Sequence, residues 1–143
     1  MTVIIREPQA SDSKAIHQVS GHLGYTELSP SEAYENLHAL LNSPQDKLYV
    51  AERNGLIVGW IHVFYARRLA SAGFYEIGGL IVSPDAQGQG IGRTLVNHVR
   101  AQHPGTVRVR CNILRKDAHR FYESIGFNNN KGQFVFQADA IRE

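Results

Sequence analysis

Apolar positions along the chain alternate between two spacings, one of strands and one of helices. Thr2 to Arg6 has the composition of a β-strand. Ala10-Ser11-Asp12 then offers helix N-cap chemistry, and Ile16, Val19 and Leu23 follow at helical spacing, which predicts a first helix ending near Gly24. Ser29-Pro30-Ser31-Glu32 predicts a second helix, capped by Ser29 or Ser31, with Ala33, Leu37, Leu40 and Leu41 on one face. Lys47 to Glu52 and Leu56 to Tyr65 read as strands joined through Asn54-Gly55, a pair that tolerates the positive φ angles of a type I′ turn. Phe74 to Val82 is an apolar run of strand length, suited to the middle of a sheet. A glycine-rich turn leads to a helix from about Ile91 to Gln102, whose Ile91, Leu95, Val96 and Val99 share a face. Val107 to Cys111 alternates apolar and basic residues as a strand, and Lys116 to Ser124 reads as a short helix stopped by Gly126. Phe127 to Asn129 and Gln133 to Gln137 predict a closing hairpin around Asn130-Lys131-Gly132. The order β-α-α-β-β-β-α-β-α-β-β predicts an α/β fold, a central mixed sheet with helices on both faces.

Length and charge narrow the class. A chain of 143 residues predicts one domain spanning 1–143. The net charge of +2 gives no reason to expect nucleic acid or a membrane surface as partner. The first residues lack the pattern of a secretory signal, and no apolar run is long enough to span a bilayer. The single cysteine, Cys111, excludes an internal disulfide, and the seven histidines show no metal-ligand spacing, so no metal is expected. A cytoplasmic location is the simplest expectation.

The segment Val82 to Arg93 carries the most chemistry. It joins a buried strand to a helix, and Gly88, Gly90 and Gly92 let the backbone approach a ligand closely. The first amides of a helix have no intrahelical partner and lie at the positive end of its dipole, so an anion such as a diphosphate suits them. A plain turn is one reading. A P-loop is poorly matched, since Gly92-Arg93-Thr94 lacks the upstream spacing, and the glycines fall as Gly-x-Gly-x-Gly rather than in the dinucleotide fingerprint. A coenzyme A pyrophosphate loop is the remaining one.

Gln87-Gly88-Gln89-Gly90-Ile91-Gly92, with Leu80-Ile81-Val82-Ser83-Pro84 before it, resembles the signature of the GNAT acetyltransferase superfamily. Downstream, Asn112, Ala118, Phe121-Tyr122-Glu123 and Gly126-Phe127 resemble that family's ending. The resemblance implies a GNAT fold and transfer of the acetyl group of acetyl-CoA, as cosubstrate, to a primary amine. It implies that Gln87, Gly88, Gln89, Gly90, Ile91, Gly92 and Arg93 hold the pyrophosphate. It further implies that the backbone of Leu80, Ile81 and Val82 receives the pantetheine arm and that an amide of Leu80 or Ile81 polarises the thioester. Asn112 would contact the coenzyme, Tyr122 would face its sulfur, and Arg115, Lys116 or Arg120 would meet the ribose phosphate. Small relatives often pair, so a homodimer is compatible with the resemblance.

Direct transfer requires a proton acceptor for the amine, donors for the developing oxyanion and an acid for the thiolate, but no protein nucleophile. Tyr122 is the candidate acid and Glu76, on the central strand, the candidate base or water relay. Alternation puts Glu76, Gly78 and Leu80 on one face unless a bulge intervenes. Cys111 reads as an inert core thiol and His98 and His103 as solvent-facing. His62 either lines the acceptor cleft or is a satisfied structural histidine. The resemblance puts the acceptor cleft near 21–35 and 66–73. The first segment holds Tyr25, Glu27, Glu32, Tyr34 and Glu35, which suit a cation. The second holds Arg67 and Arg68, which suit an anion. A noncatalytic acyl-CoA binding or sensing module is the alternative function.

Overall fold

The computed structural model describes residues 2–22, 24, 25 and 27–142. They form two compact units, Met1–Arg110 and Cys111–Glu143. The first holds β1 (Val3–Arg6), α1 (Ser13–Gly21), α2 (Pro30–Leu41), β2 (Asp46–Arg53), β3 (Leu56–Ala66), β4 (Phe74–Val82), α3 (Ile91–Gln102) and β5 (Val107–Val109). The second holds α4 (Lys116–Ser124).

The five strands lie in the order in which they are made. β1 to β4 are antiparallel, and β5 returns parallel to β4 after α3, which makes the sheet mixed. Asn54 and Gly55 both take positive φ, 55° and 76°, as the β2–β3 hairpin requires. α2 begins with a reciprocal capping box: the Glu32 amide donates to the Ser29 hydroxyl at 3.2 Å and the Ser29 amide donates to the Glu32 carboxylate at 3.0 Å. Ser29 rather than Ser31 is therefore the cap.

Side-chain alternation along β3 separates two layers. Trp60 faces α1, where its indole N–H donates to the Ser20 hydroxyl at 3.0 Å. Gly59 faces α3: a Cβ there would stand 3.5 Å from Leu95 and only 2.8 Å from the Ile81 carbonyl oxygen. The α3 layer is the core, with Ile61, Val63, Leu95, Val96 and Val99 all fully buried. Burial of such branched side chains stabilises by about 1.5–3 kcal/mol each before entropy is counted.

Three expectations change. Leu41 is exposed, so the buried face of α2 rests on Leu37. Leu23 lies outside the described residues, and α1 ends at Gly21. The closing hairpin does not form: residues 127–142 contain no strand, and Phe134, Val135 and Phe136 are exposed. Gln133 to Gln137 has the composition of a strand, but β-propensity is realised only against a partner, and a lone two-stranded hairpin is marginal in water.

Candidate acyl-transfer site

The central strand carries a bulge at the place where chemistry is expected. Against β3, His62 pairs with Gly79 and Val63 with Ile77, so Gly78 is the extra residue. The bulge shifts the alternation. Gly78 and Gly79 both lie toward the α1 side, where added Cβ atoms would meet His62 and Trp60, and Leu80 does not stay in step with Glu76. The expectation that Glu76, Gly78 and Leu80 share one face holds only up to the bulge.

β5 pairs with Tyr75, Glu76 and Ile77 alone. From Gly78 to Val82, β4 is therefore paired through β3 and has no described strand on its other edge. Backbone N–H and C=O groups on such an edge can receive an extended chain as a further strand would. Leu80, Ile81 and Val82 lie on this stretch.

The loop after β4 suits an anion. Pro84–Ala86 makes a single 3₁₀ turn, and Gly88 and Gly90 take φ of 78° and 79°. No side chain caps α3, whose first main-chain bond runs from the Thr94 amide to the Gly90 carbonyl at 3.0 Å. The amides of Ile91, Gly92 and Arg93 thus have no intrahelical acceptor. Nothing lies within 4 Å of a Cβ built on Gly88 or Gly90, so the space over the loop is open. The side chains of the two glutamines brace it: Gln87 donates to the Val82 carbonyl at 3.1 Å, and Gln89 accepts from Arg53 of β2. An uncapped helix start, open glycines and the exposed guanidinium of Arg93 fit a diphosphate.

Glu76 is buried at 7% exposure and is held by Arg110, whose Nε donates to both carboxylate oxygens at 3.3 and 3.1 Å. The Arg110 side chain is 60% exposed, so the pair is open to water from its cationic side. This partner was not legible in the sequence, because it depends on the parallel register that sets β5 beside β4. Glu76 shares its sheet face with Phe64, His62 and Phe74. His62 Nε2 lies 2.7 Å from Asp46 Oδ1, so His62 has a carboxylate partner, the structural alternative raised for it. Burial pushes the Asp46 carboxyl upward, but hydrogen bonds from Ser43 and His62 outweigh it and hold the group below its ordinary value. Neither His98 nor His103 is free in solvent. Both rings pack on Tyr49, and His103 Nε2 lies 2.7 Å from the Tyr49 hydroxyl. Of the two expected acceptor segments, 66–73 sends its arginines apart: Arg67 covers Tyr65, and Arg68 covers Phe74. In 21–35, Tyr34 lines a hollow of about 420 Å³ with Ser13, Lys14, His17, Gln18 and Pro30.

In the second unit, Tyr122 of α4 packs between Phe121 and Phe127, with ring centroids 5.0 and 5.3 Å away. Burial raises its phenol to about 12. Asn112 accepts from the Leu114 amide at 2.9 Å and its carbonyl lies 2.9 Å from His119 Nε2, so it braces the turn into α4. Arg115 pairs with Asp117. Cys111 lies beyond the end of β5 rather than within a strand, and burial raises its thiol pKa, which disfavours the thiolate. Cys111→Ser should leave the steady-state transfer rate within about twofold of the parent; a rate lower by orders of magnitude would instead mark the sulfur as a nucleophile. Among the described residues no group of three or more His, Cys, Asp or Glu side chains could hold a metal ion. No helix among them is long and apolar enough to cross a membrane.

A mixed sheet with a half-freed central strand, followed by an uncapped glycine-rich helix start, suits a ligand that joins an extended arm to a diphosphate, as acyl-coenzyme A does. Residues 44–129 match the acetyltransferase (GNAT) domain family, and the chain belongs to that family. It is 29% identical over 136 residues to an aminoalkylphosphonate N-acetyltransferase of Salmonella typhimurium, covering 92% of this chain and 88% of that protein. It is 26% identical to a 5-NmdU N-acetyltransferase of Pseudomonas phage PaMx11, covering 87% and 86% of the two chains. Its fold matches an aminoglycoside N-acetyltransferase, AAC(6')-Iy, solved in complex with CoA, with a TM-score of 0.87 at 11% identity over 97% of this chain and 96% of that one. The protein is an acetyl-CoA-dependent N-acetyltransferase acting on an amine.

Proposed function

We propose that the chain transfers acetyl directly from acetyl-CoA to a primary amine of a small molecule or peptide, with both substrates bound together and no acetylated protein intermediate. In this reading residues 1–143 act as one catalytic domain, which the alignment of relatives along most of the chain supports. The observation that carries the proposal is the bulged central strand, open on one edge and leading into an uncapped helix start.

Bound acetyl-CoA supplies an activated acyl carbon and a thiolate leaving group. The amides of Ile91, Gly92 and Arg93, with Gln87, Gly88, Gln89 and Gly90, hold the diphosphate. The open edge of Leu80, Ile81 and Val82 orients the extended arm, and an amide of Leu80 or Ile81 stabilises negative charge as it develops on the acyl oxygen. Asn112 adds a contact to the coenzyme. Glu76 takes the first proton of the incoming ammonium, directly or through water, Tyr122 gives a proton to the departing sulfur, and the second proton, lost by the nitrogen as the amide forms, restores the Tyr122 phenol through water. An alkyl amine is mostly protonated near neutrality, so this removal precedes attack. A noncatalytic binding module has less support, since it gives a buried carboxylate beside the bulge no task.

The site belongs in the cytoplasm, where acetyl-CoA is available. Exposed Phe134, Val135 and Phe136 offer apolar surface suited to a second copy, which supports a homodimer.

Release of free thiol from acetyl-CoA in the presence of an amine panel tests the activity, and binding without turnover on every amine would remove it. Glu76→Gln should lower kcat by about 10²-fold and flatten the rise of rate with pH. An unaltered pH–rate profile would remove Glu76 as the base.

A further inference from the structure

We infer that Arg68 and Arg108, both held over the ring of Phe74, form a subsite for an oxyanion carried by the acceptor. The acceptor class is a small zwitterion, an amine joined by a short spacer to a phosphonate, phosphate or carboxylate. The inference rests on the acetyl-transfer reading of the same site.

Phe74 is a buried residue of β4, two positions before Glu76 and on the same face. Arg108 of β5 places its guanidinium carbon 4.2 Å from the Phe74 ring centroid, and Arg68, from the loop before β4, places its own at 5.0 Å. Two guanidinium groups therefore share one aromatic ring. Arg108 is the register partner of Glu76, yet the Glu76 carboxylate is engaged by Arg110. Among the described residues no carboxylate lies within ion-pair distance of Arg68 or Arg108.

Like charges brought together repel, and the Phe74 ring offsets this only in part. A guanidinium over a ring keeps in-plane N–H donors available, and those donors match the paired oxygens of a carboxylate, phosphate or phosphonate. Three guanidinium groups, Arg68, Arg108 and Arg110, gather around Glu76, and the other carboxylate on this sheet face, Asp46, is engaged by His62. A simple alkylammonium would be repelled by that field. A zwitterion suits it, with its ammonium at Glu76 and its oxyanion at Arg68 and Arg108.

The test compares 2-aminoethylphosphonate and β-alanine with the neutral-tailed amines ethanolamine and propylamine, using the purified full chain and thiol release. The anionic acceptors should show kcat/KM at least about tenfold higher, which corresponds to one charged hydrogen bond. Arg108→Gln and, separately, Arg68→Gln should raise KM for the anionic acceptors about tenfold, with kcat and the neutral amines little changed. Arg68→Gln lies in a loop and guards against a folding defect at β5. Methylphosphonate, which has no amine, should compete with the acceptor and bind the parent by calorimetry but not Arg108→Gln. Equal use of neutral and anionic amines, or variants that slow both alike, would overturn the subsite. If no amine is acetylated, the transfer reading fails, and methylphosphonate binding alone still decides the subsite: no binding to the parent ends it.

Discussion

Tyr122→Phe should lower kcat by about 10²-fold, the usual weight of a positioned general acid, with little change in affinity for acetyl-CoA. The substitution is unusually clean. The Tyr122 hydroxyl makes no hydrogen bond among the described residues, and the ring contacts with Phe121 and Phe127 survive in phenylalanine. The thermal midpoint should therefore stay within about 2 °C of the parent. Burial lifts the phenol to about 12, so it holds its proton to higher pH than an exposed tyrosine. A folded pKa raised above the unfolded value of about 10 leaves stability intact below pH 10 and costs stability as pH rises toward 12. Up to about pH 10 the acid therefore stays loaded, and the parent rate should show no fall there from loss of this proton. Stopped assays at saturating amine, with acetyl-CoA binding measured by calorimetry, separate the outcomes. An unchanged kcat would assign thiolate protonation to water.

Gly90→Ala should weaken acetyl-CoA binding by about tenfold or more and lower the thermal midpoint by about 5 °C. Gly90 sits at φ 79° as the N-cap of α3, where a side chain adds roughly 1–2 kcal/mol of backbone strain. The open space above it means that contact with protein contributes nothing, so the whole effect runs through φ. Relief of that strain turns the amides of the first helical turn, and losing one charge-assisted bond costs about 1.5–3 kcal/mol. Gly105→Ala is the control. Gly105 also takes a positive φ, 122°, with nothing near its Cβ position, but it follows α3 rather than preceding it. It should lose stability without losing coenzyme affinity. Equal loss of affinity in both variants would show that the α3 start does not grip the diphosphate.

Much of the molecule was legible in the order of its residues. Asn54-Gly55 dictates a hairpin because few other pairs accept two positive φ angles, and α3 is bounded by Gly90 and marked by four apolar residues at helical spacing. The glycines of the turn before α3 were legible for the same reason: they report backbone freedom, which is local. Residues 133–137 show where this reasoning ends. Their composition is that of a strand, but a strand exists only where a partner offers its backbone, and none does so among the described residues.

The sequence by itself determined the elements from β1 to α4 and the glycine-rich turn before α3, since these depend on φ preference and on spacing within one turn or one strand. Only the tertiary structure decided the bulge at Gly78, the grip of Arg110 on Glu76 across 34 residues, and the meeting of Arg68 with Arg108 over Phe74. Each depends on strand register, and register is a property of pairs of segments: shifting β5 by one residue along β4 would present the opposite set of side chains to Glu76.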